Sequence, residues 1–142
     1  MYSDFLNFKL DMTSALLMEH ANAVYLQHWN LDVRGLRVLR LIHACPDITP
    51  KEVSSRALLE KTLLSKTLSL LESRKLISRN PHPVDRRSVG LRTTAMGAQV
   101  ADDSSAVGAE LEDRLVSALS LKERKALDGL LSKLMDSLLP PA

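Results

Sequence analysis

Two prolines one residue apart, Pro81 and Pro83, interrupt a chain that reads as helix on both sides, and they constrain its fold more than any other feature. Proline fixes φ and has no N–H to give to a helix or an inner strand, so Pro81-His82-Pro83 must be a loop. Before it stands Leu76-Ile77-Ser78-Arg79 and after it Val89-Gly90-Leu91-Arg92-Thr93, two short β-prone runs of the kind that pair as a hairpin. The long tip of that hairpin carries Asp85, Arg86 and Arg87. A charged hairpin set among helices predicts a mainly α (α+β) fold.

The helices follow from periodicity and from their start signals. Phe5, Phe8, Met12, Ala15, Leu16, Ala23 and Leu26 recur at three- and four-residue spacing and predict an amphipathic helix over residues 5–29. Asp32 is placed to cap a second helix that reaches about Ala44, before Pro46. Thr49 at N-cap, Pro50 at the first helical position and Glu52 at N3, where it can close a capping box, open a short third helix to about residue 57. A fourth, from Glu60 to about Arg74, turns Leu64, Leu68 and Leu71 inward and leaves Lys61, Thr62, Ser65, Lys66 and Ser69 on the other side. A fifth is expected from about Thr94 to Leu119, weakened by Gly97 and Gly108. Ser120 and Glu123 form a second capping box before a last helix, whose Leu127, Leu130, Leu131, Leu134 and Leu138 are too apolar a stripe for an isolated surface helix.

Composition narrows the classes. The 142 residues, 45% of them hydrophobic, suffice for one domain with its own core. The net charge is only +2, yet residues 48–92 hold ten basic side chains against four acidic ones, so a basic middle lies between acidic ends. That distribution suits a segment that meets a polyanion, although a solvated face is the plainer reading. The single cysteine, Cys45, excludes an intrachain disulfide and fits a reducing compartment. No run approaches the roughly 18 apolar residues of a membrane span. Asp4, Asp11 and Glu19 depart from a signal-peptide pattern, and a soluble cytoplasmic protein is expected. Phosphate loops, G-x-S-x-G elbows and H-E-x-x-H motifs are missing from the sequence, so neither an enzyme nor a cofactor is expected. His20, His28, His43 and His82 lack tight ligand spacing, and no metal site is expected.

Two short helices, a longer one with a polar outer face, then a hairpin with a basic tip is the order of a winged helix-turn-helix. A helix about 10–12 Å across fits the DNA major groove. Lys61, Thr62, Ser65, Lys66 and Ser69 would then meet base edges and phosphates, with Arg86 and Arg87 of the wing in the adjacent minor groove. Asp85 would orient an arginine through a bidentate ion pair. Each feature alone is more often a wet helix face or a solvated turn; their order carries the reading. A winged-helix module that binds another protein instead of DNA is the alternative from a different class.

The segment Asp85-Arg86-Arg87-Ser88-Val89-Gly90-Leu91-Arg92-Thr93-Thr94-Ala95-Met96-Gly97 resembles the D-x-R wing signature and the following L-T-x-x-G junction of the MarR family of transcriptional regulators. Leu31 to Leu39 is similar to that family's entry into its second helix, and Glu60 to Arg79 to its recognition helix running into the first wing strand. Lys75 departs from the pattern, standing where the family usually has a glycine, and Thr93 stands for a leucine. Leu63 replaces a small polar residue and could favour an apolar contact with a thymine methyl.

The resemblance implies a single domain in which residues 31–97 form the DNA-binding lobe, while residues 1–30 and 98–142 form dimerisation helices. It further implies a cytoplasmic bacterial or archaeal homodimer that binds a pseudo-palindromic operator in double-stranded DNA, usually as a repressor. Family members respond to small phenolic or carboxylic effectors, and His20, Trp29, Arg34 and Arg37 could hold an aromatic carboxylate. A redox role for Cys45 is disfavoured, since it has no partner cysteine and lies outside the first helix.

Overall fold

Local caps set most helix starts. Asp32 Oδ1 accepts from Gly35 N at 2.8 Å, Thr49 Oγ1 accepts from Glu52 N at 3.3 Å, and Ser120 Oγ accepts from Glu123 N at 3.1 Å. The computed structural model describes residues 5–141. Its elements are α1 (Leu6–Trp29), α2 (Val33–Ala44), α3 (Pro50–Ala57), α4 (Lys61–Ser73), β1 (Ile77–Pro81), β2 (Val89–Thr93), α5 (Ala95–Leu115) and α6 (Leu121–Leu138). β1 and β2 pair antiparallel from Ile77↔Thr93 to Pro81↔Val89, so the fold is mainly helical with one hairpin. Two compact units are distinguished, one ending at Gly108 and one starting at Ala109.

The core of the first unit is the sum of the short amphipathic stripes. Leu36, Val38, Leu39 and Ile42 of α2, Val53 and Ala57 of α3, and Leu64, Leu68 and Leu71 of α4 are buried together with Leu31, Ile48, Leu76, Ile77 and Leu91. Each fully buried leucine contributes about 1.5–3 kcal/mol relative to exposure. Arg40 joins three helices: its Nε donates to Ser104 Oγ at 3.2 Å, and its Nη2 donates to the Ser104 carbonyl at 2.8 Å and to Tyr25 Oη at 3.4 Å. The predicted stripe of α1 is not a core face within the chain. Tyr25 is its one buried described residue, while Phe5, Met12, Leu16 and Leu26 are exposed.

The end of α4 is a Schellman motif, with Lys75 N donating to the Glu72 carbonyl and Leu76 N to the Leu71 carbonyl, both at 2.9 Å. Lys75 takes the left-handed conformation, φ 60°, that glycine usually fills, at a cost of about 1 kcal/mol. Immediately afterwards Thr94 N donates to the Leu76 carbonyl at 3.0 Å, and Thr94 Oγ1 caps α5 by accepting from Gly97 N at 3.0 Å. Gly97 is required here rather than weakening: a Cβ on it would lie 1.8 Å from the Leu76 carbonyl oxygen. Gly108 likewise makes room, since a Cβ there would fall 2.5 Å from Tyr25 Oη.

Three further expectations are corrected. The box at α3 is half formed, because Glu52 Oε1 accepts from the Thr49 hydroxyl at 3.0 Å rather than from the Thr49 N–H. β1 begins one residue later than expected and ends on Pro81, at the last pair of the ladder, where a missing N–H costs little. α5 stops at Leu115, and residues 116–119 tighten into turns that deliver the extended backbone Ser120 needs to cap α6.

In the second unit, the α6 box is complete, with Ser120 N donating to Glu123 Oε1 at 2.9 Å. That backbone hydrogen bond, with the one from the Ser120 side chain, holds the Glu123 carboxyl below its usual range. α6 itself buries none of its residues, and Leu127, Leu130, Leu134 and Leu138 are exposed. None of the described helices is long and apolar enough to cross a membrane.

Candidate nucleic-acid interface

Burial of Leu64, Leu68 and Leu71 fixes the roll of α4 and so decides what it shows outward: Lys61, Thr62, Ser65, Lys66 and Ser69 are all exposed. Thr67 points elsewhere, its hydroxyl donating to the Leu63 carbonyl at 2.9 Å, and Leu63 is half-buried. The α4 face is a row of hydroxyls and ammonium groups, with no buried side-chain polar atom left unpaired among the described residues.

The hairpin is anchored at its root. Asp47, in the turn between α2 and α3, adopts φ 70° and donates its N–H to the Leu91 carbonyl at 2.9 Å, while Leu91 N donates to the Ile48 carbonyl at 2.9 Å. Arg92 grips the Asp47 carboxylate in bidentate fashion, Nε to Oδ1 at 2.8 Å and Nη2 to Oδ2 at 2.7 Å. The hydrogen bond from Arg92, ahead of its charge, holds the Asp47 carboxyl below the usual carboxylate range despite partial desolvation. Arg79 of β1 pairs with Glu72 of α4 at 3.2 Å, joining wing and helix. His43 bridges to α5 and β2, with Nε2 3.1 Å from Asp102 Oδ1 and Nδ1 3.4 Å from Thr93 Oγ1.

At the tip, Asp85 does not form the ion pair with an arginine side chain that the sequence suggested. Its Oδ1 accepts from Arg87 N at 3.1 Å and its Oδ2 from Ser88 Oγ at 3.2 Å, because the tight turn brings those donors closer than any guanidinium. Asp85 therefore shapes the turn, and the guanidinium groups of Arg86 and Arg87 are exposed with no carboxylate partner among the described residues. The bidentate pair occurs instead at Arg92 and Asp47, a contact across 45 positions for which the sequence offers no local signal.

The effector candidates are scattered. Trp29 is half-buried and lines an open groove of about 470 Å³ with His28, Leu31, Arg74, Leu76 and Met96. His20, Arg34 and Arg37 are exposed and do not line it. Arg74, which the sequence did not single out, reaches the last carbonyls of α1, donating to those of Trp29 and Asn30. Among the described residues no cluster of His, Cys, Asp or Glu is arranged to hold a metal ion. Cys45 is half-buried, with Arg56 Nη1 3.4 Å from its sulfur.

An anchored hairpin beside a polar-faced third helix of the lobe defines a winged helix-turn-helix. Comparison with known proteins gives the class its relatives. The MarR family model matches residues 29–88, from the end of α1 to the wing tip. The multiple antibiotic resistance protein MarR of Escherichia coli (strain K12) is 28% identical over 112 residues, 78% of each chain. A MarR/EmrR family transcriptional regulator from Acinetobacter sp. ADP1 superposes with a TM-score of 0.81 at 25% identity, covering 92% of both chains. A mutant Escherichia coli MarR complexed with operator DNA superposes with a TM-score of 0.83 at 25% identity, covering 94% of this chain and 97% of that one. The chain is thus similar to MarR-family winged-helix transcriptional regulators, in sequence over residues 29–88 and in fold over most of its length.

Proposed function

We propose that the protein is a repressor that binds a pseudo-palindromic operator as a homodimer, reading base edges with α4 and the minor groove with the wing. The observation that carries this reading is the pairing of an exposed Lys61, Thr62, Ser65, Lys66 and Ser69 face with a wing tip whose Arg86 and Arg87 are exposed and uncompensated. The Escherichia coli relative solved with operator DNA lends the fold-level precedent. Residues 31–97 would be the DNA-binding lobe, and the exposed apolar stripes of α1 and α6 would be covered by a second copy. A two-fold dimer would set its recognition helices about 34–36 Å apart, one turn of DNA.

An effector, in this reading, is a small aromatic or phenolic acid held near Trp29, with Arg74 as a cation beside it. It would release DNA only by favouring a dimer of the wrong helix spacing.

The test uses three substitutions, one in the wing and two in α4. Arg87→Ala should weaken binding to all duplexes and reduce the salt slope by about one, as expected for one lost phosphate or groove contact. Lys66→Ala with Ser65→Ala should reduce discrimination between operator and random DNA. An unchanged slope and unchanged discrimination would argue for the protein-interaction module instead.

A further inference from the structure

The wing tip has no hydrophobic core to hold it. Pro83, Val84, Asp85, Arg86 and Arg87 are all exposed, Val84 at 89%. Its shape therefore depends on hydrogen bonds, and these can be counted. His82 N donates to the Ser88 carbonyl and Ser88 N to the Asp85 carbonyl, both at 2.9 Å, and the Asp85 carboxylate is occupied by Arg87 N and Ser88 Oγ. The N–H groups of Val84 and Asp85 both converge on one atom, Nδ1 of His82, at 3.2 and 3.1 Å.

We propose that His82 is a positioning residue for the wing: its neutral ring, protonated on Nε2, closes the tip turn through the Nδ1 lone pair and so sets the direction in which Arg86 and Arg87 leave the hairpin. The geometry assigns the tautomer, since an Nδ1 that accepts two N–H bonds cannot carry a proton. Protonating that nitrogen would set N–H against two N–H groups and release the turn. A histidine ring can be neutral or charged, and only the neutral ring with a bare Nδ1 can close this turn. Asp47 of the α2–α3 turn interacts electrostatically with His82 and is itself gripped by Arg92 of β2, while the Asp85 carboxylate beside it is turned to Arg87 N and Ser88 Oγ. A proline on each side keeps His82 out of any helix, so its side chain can act as a local cap.

The inference rests on the DNA-reading function proposed above, and the experiment separates the two. Asparagine places an acceptor oxygen close to where Nδ1 sits but does not titrate; alanine offers none. The ratio of operator to random-duplex affinity, in which net charge largely cancels, should stay within about twofold of wild type for His82→Asn and fall roughly fivefold for His82→Ala, the scale of one modest hydrogen bond. Protonating the ring by acidification, followed on the His82 ring resonances, should lower the wild-type ratio severalfold and leave the His82→Asn ratio flat. Equal loss in both variants, or a His82→Asn ratio as pH-dependent as wild type, would overturn the positioning role. In the protein without DNA, the amide resonances of Val84 and Asp85 should follow ring protonation; amides that ignore it would overturn the cap itself. A wild-type chain that selects no duplex would end the DNA reading and the positioning role together, while the amide titration still reports on the cap alone.

Discussion

The winged-helix lobe and α6 start from the same material, leucines at helical spacing, and put it to opposite use. In α2 and α4, Leu36, Leu39 and Leu71 are fully buried within a few dozen residues of chain, whereas in α6 Leu130 and Leu138 remain 65% and 75% exposed. The difference lies in the surroundings rather than in the residues. The lobe has short helices, tight turns and a hairpin root that close over its leucines. α6 has a complete capping box, which fixes where it starts but covers nothing. A helix can thus be fully specified locally and still be unfinished as a packing unit.

That contrast can be broken at its weakest point first. Leu130→Asp with Leu134→Asp should abolish the proposed dimer, giving monomeric mass by sedimentation at a concentration where the unsubstituted chain is expected to be dimeric, with unchanged helix content. A double variant that remains dimeric would mean that the stripe is not the seam. Next, Leu39→Ala should cost about 2–5 kcal/mol in chemical denaturation, the range for a buried leucine. Leu130→Ala should leave the stability of the isolated protomer within about 0.5 kcal/mol, as surface substitutions do. Equal costs would erase the distinction between the two regions. Gly97→Ala should cost about 1–3 kcal/mol by forcing α5 away from Leu76, and a neutral result would mean that the junction yields easily. The smallest effect concerns the wing root. The Asp47 carboxyl is depressed from its reference value of 3.8, so its contribution is fully present above that pH and is lost as the pH falls below it. Acid titration of Asp47→Asn should lack that increment, and an acid limb identical to wild type would show the Arg92 clamp to be without weight.

What the sequence made legible was local. Asp32, Thr49 and Ser120 announce helix starts because a cap acts within three residues, and Pro81 and Pro83 announce a hairpin because they forbid the alternatives. The wing signature pointed to the MarR family on the same local grounds. Contacts chosen among competitors were not legible. Asp85 had a guanidinium and a backbone N–H within reach, and the turn decided for the backbone. Asp47 and Arg92 are brought together by the sheet extension through Ile48 and Leu91. Gly97 read as a helix weakness because the approaching carbonyl of Leu76 comes from another element. His20, Arg34 and Arg37 share neighbouring helices with Trp29 but not its groove, since adjacency along a helix does not say which face looks into a cavity.

The central claim, a dimer that reads DNA with α4 and the wing, is tested most directly by selecting from a pool of randomised duplexes at near-physiological salt and sequencing what the purified protein retains. The account predicts a pseudo-palindrome with half-sites about one helical turn apart. Retention without sequence enrichment, by a protein that is folded and dimeric, would contradict it.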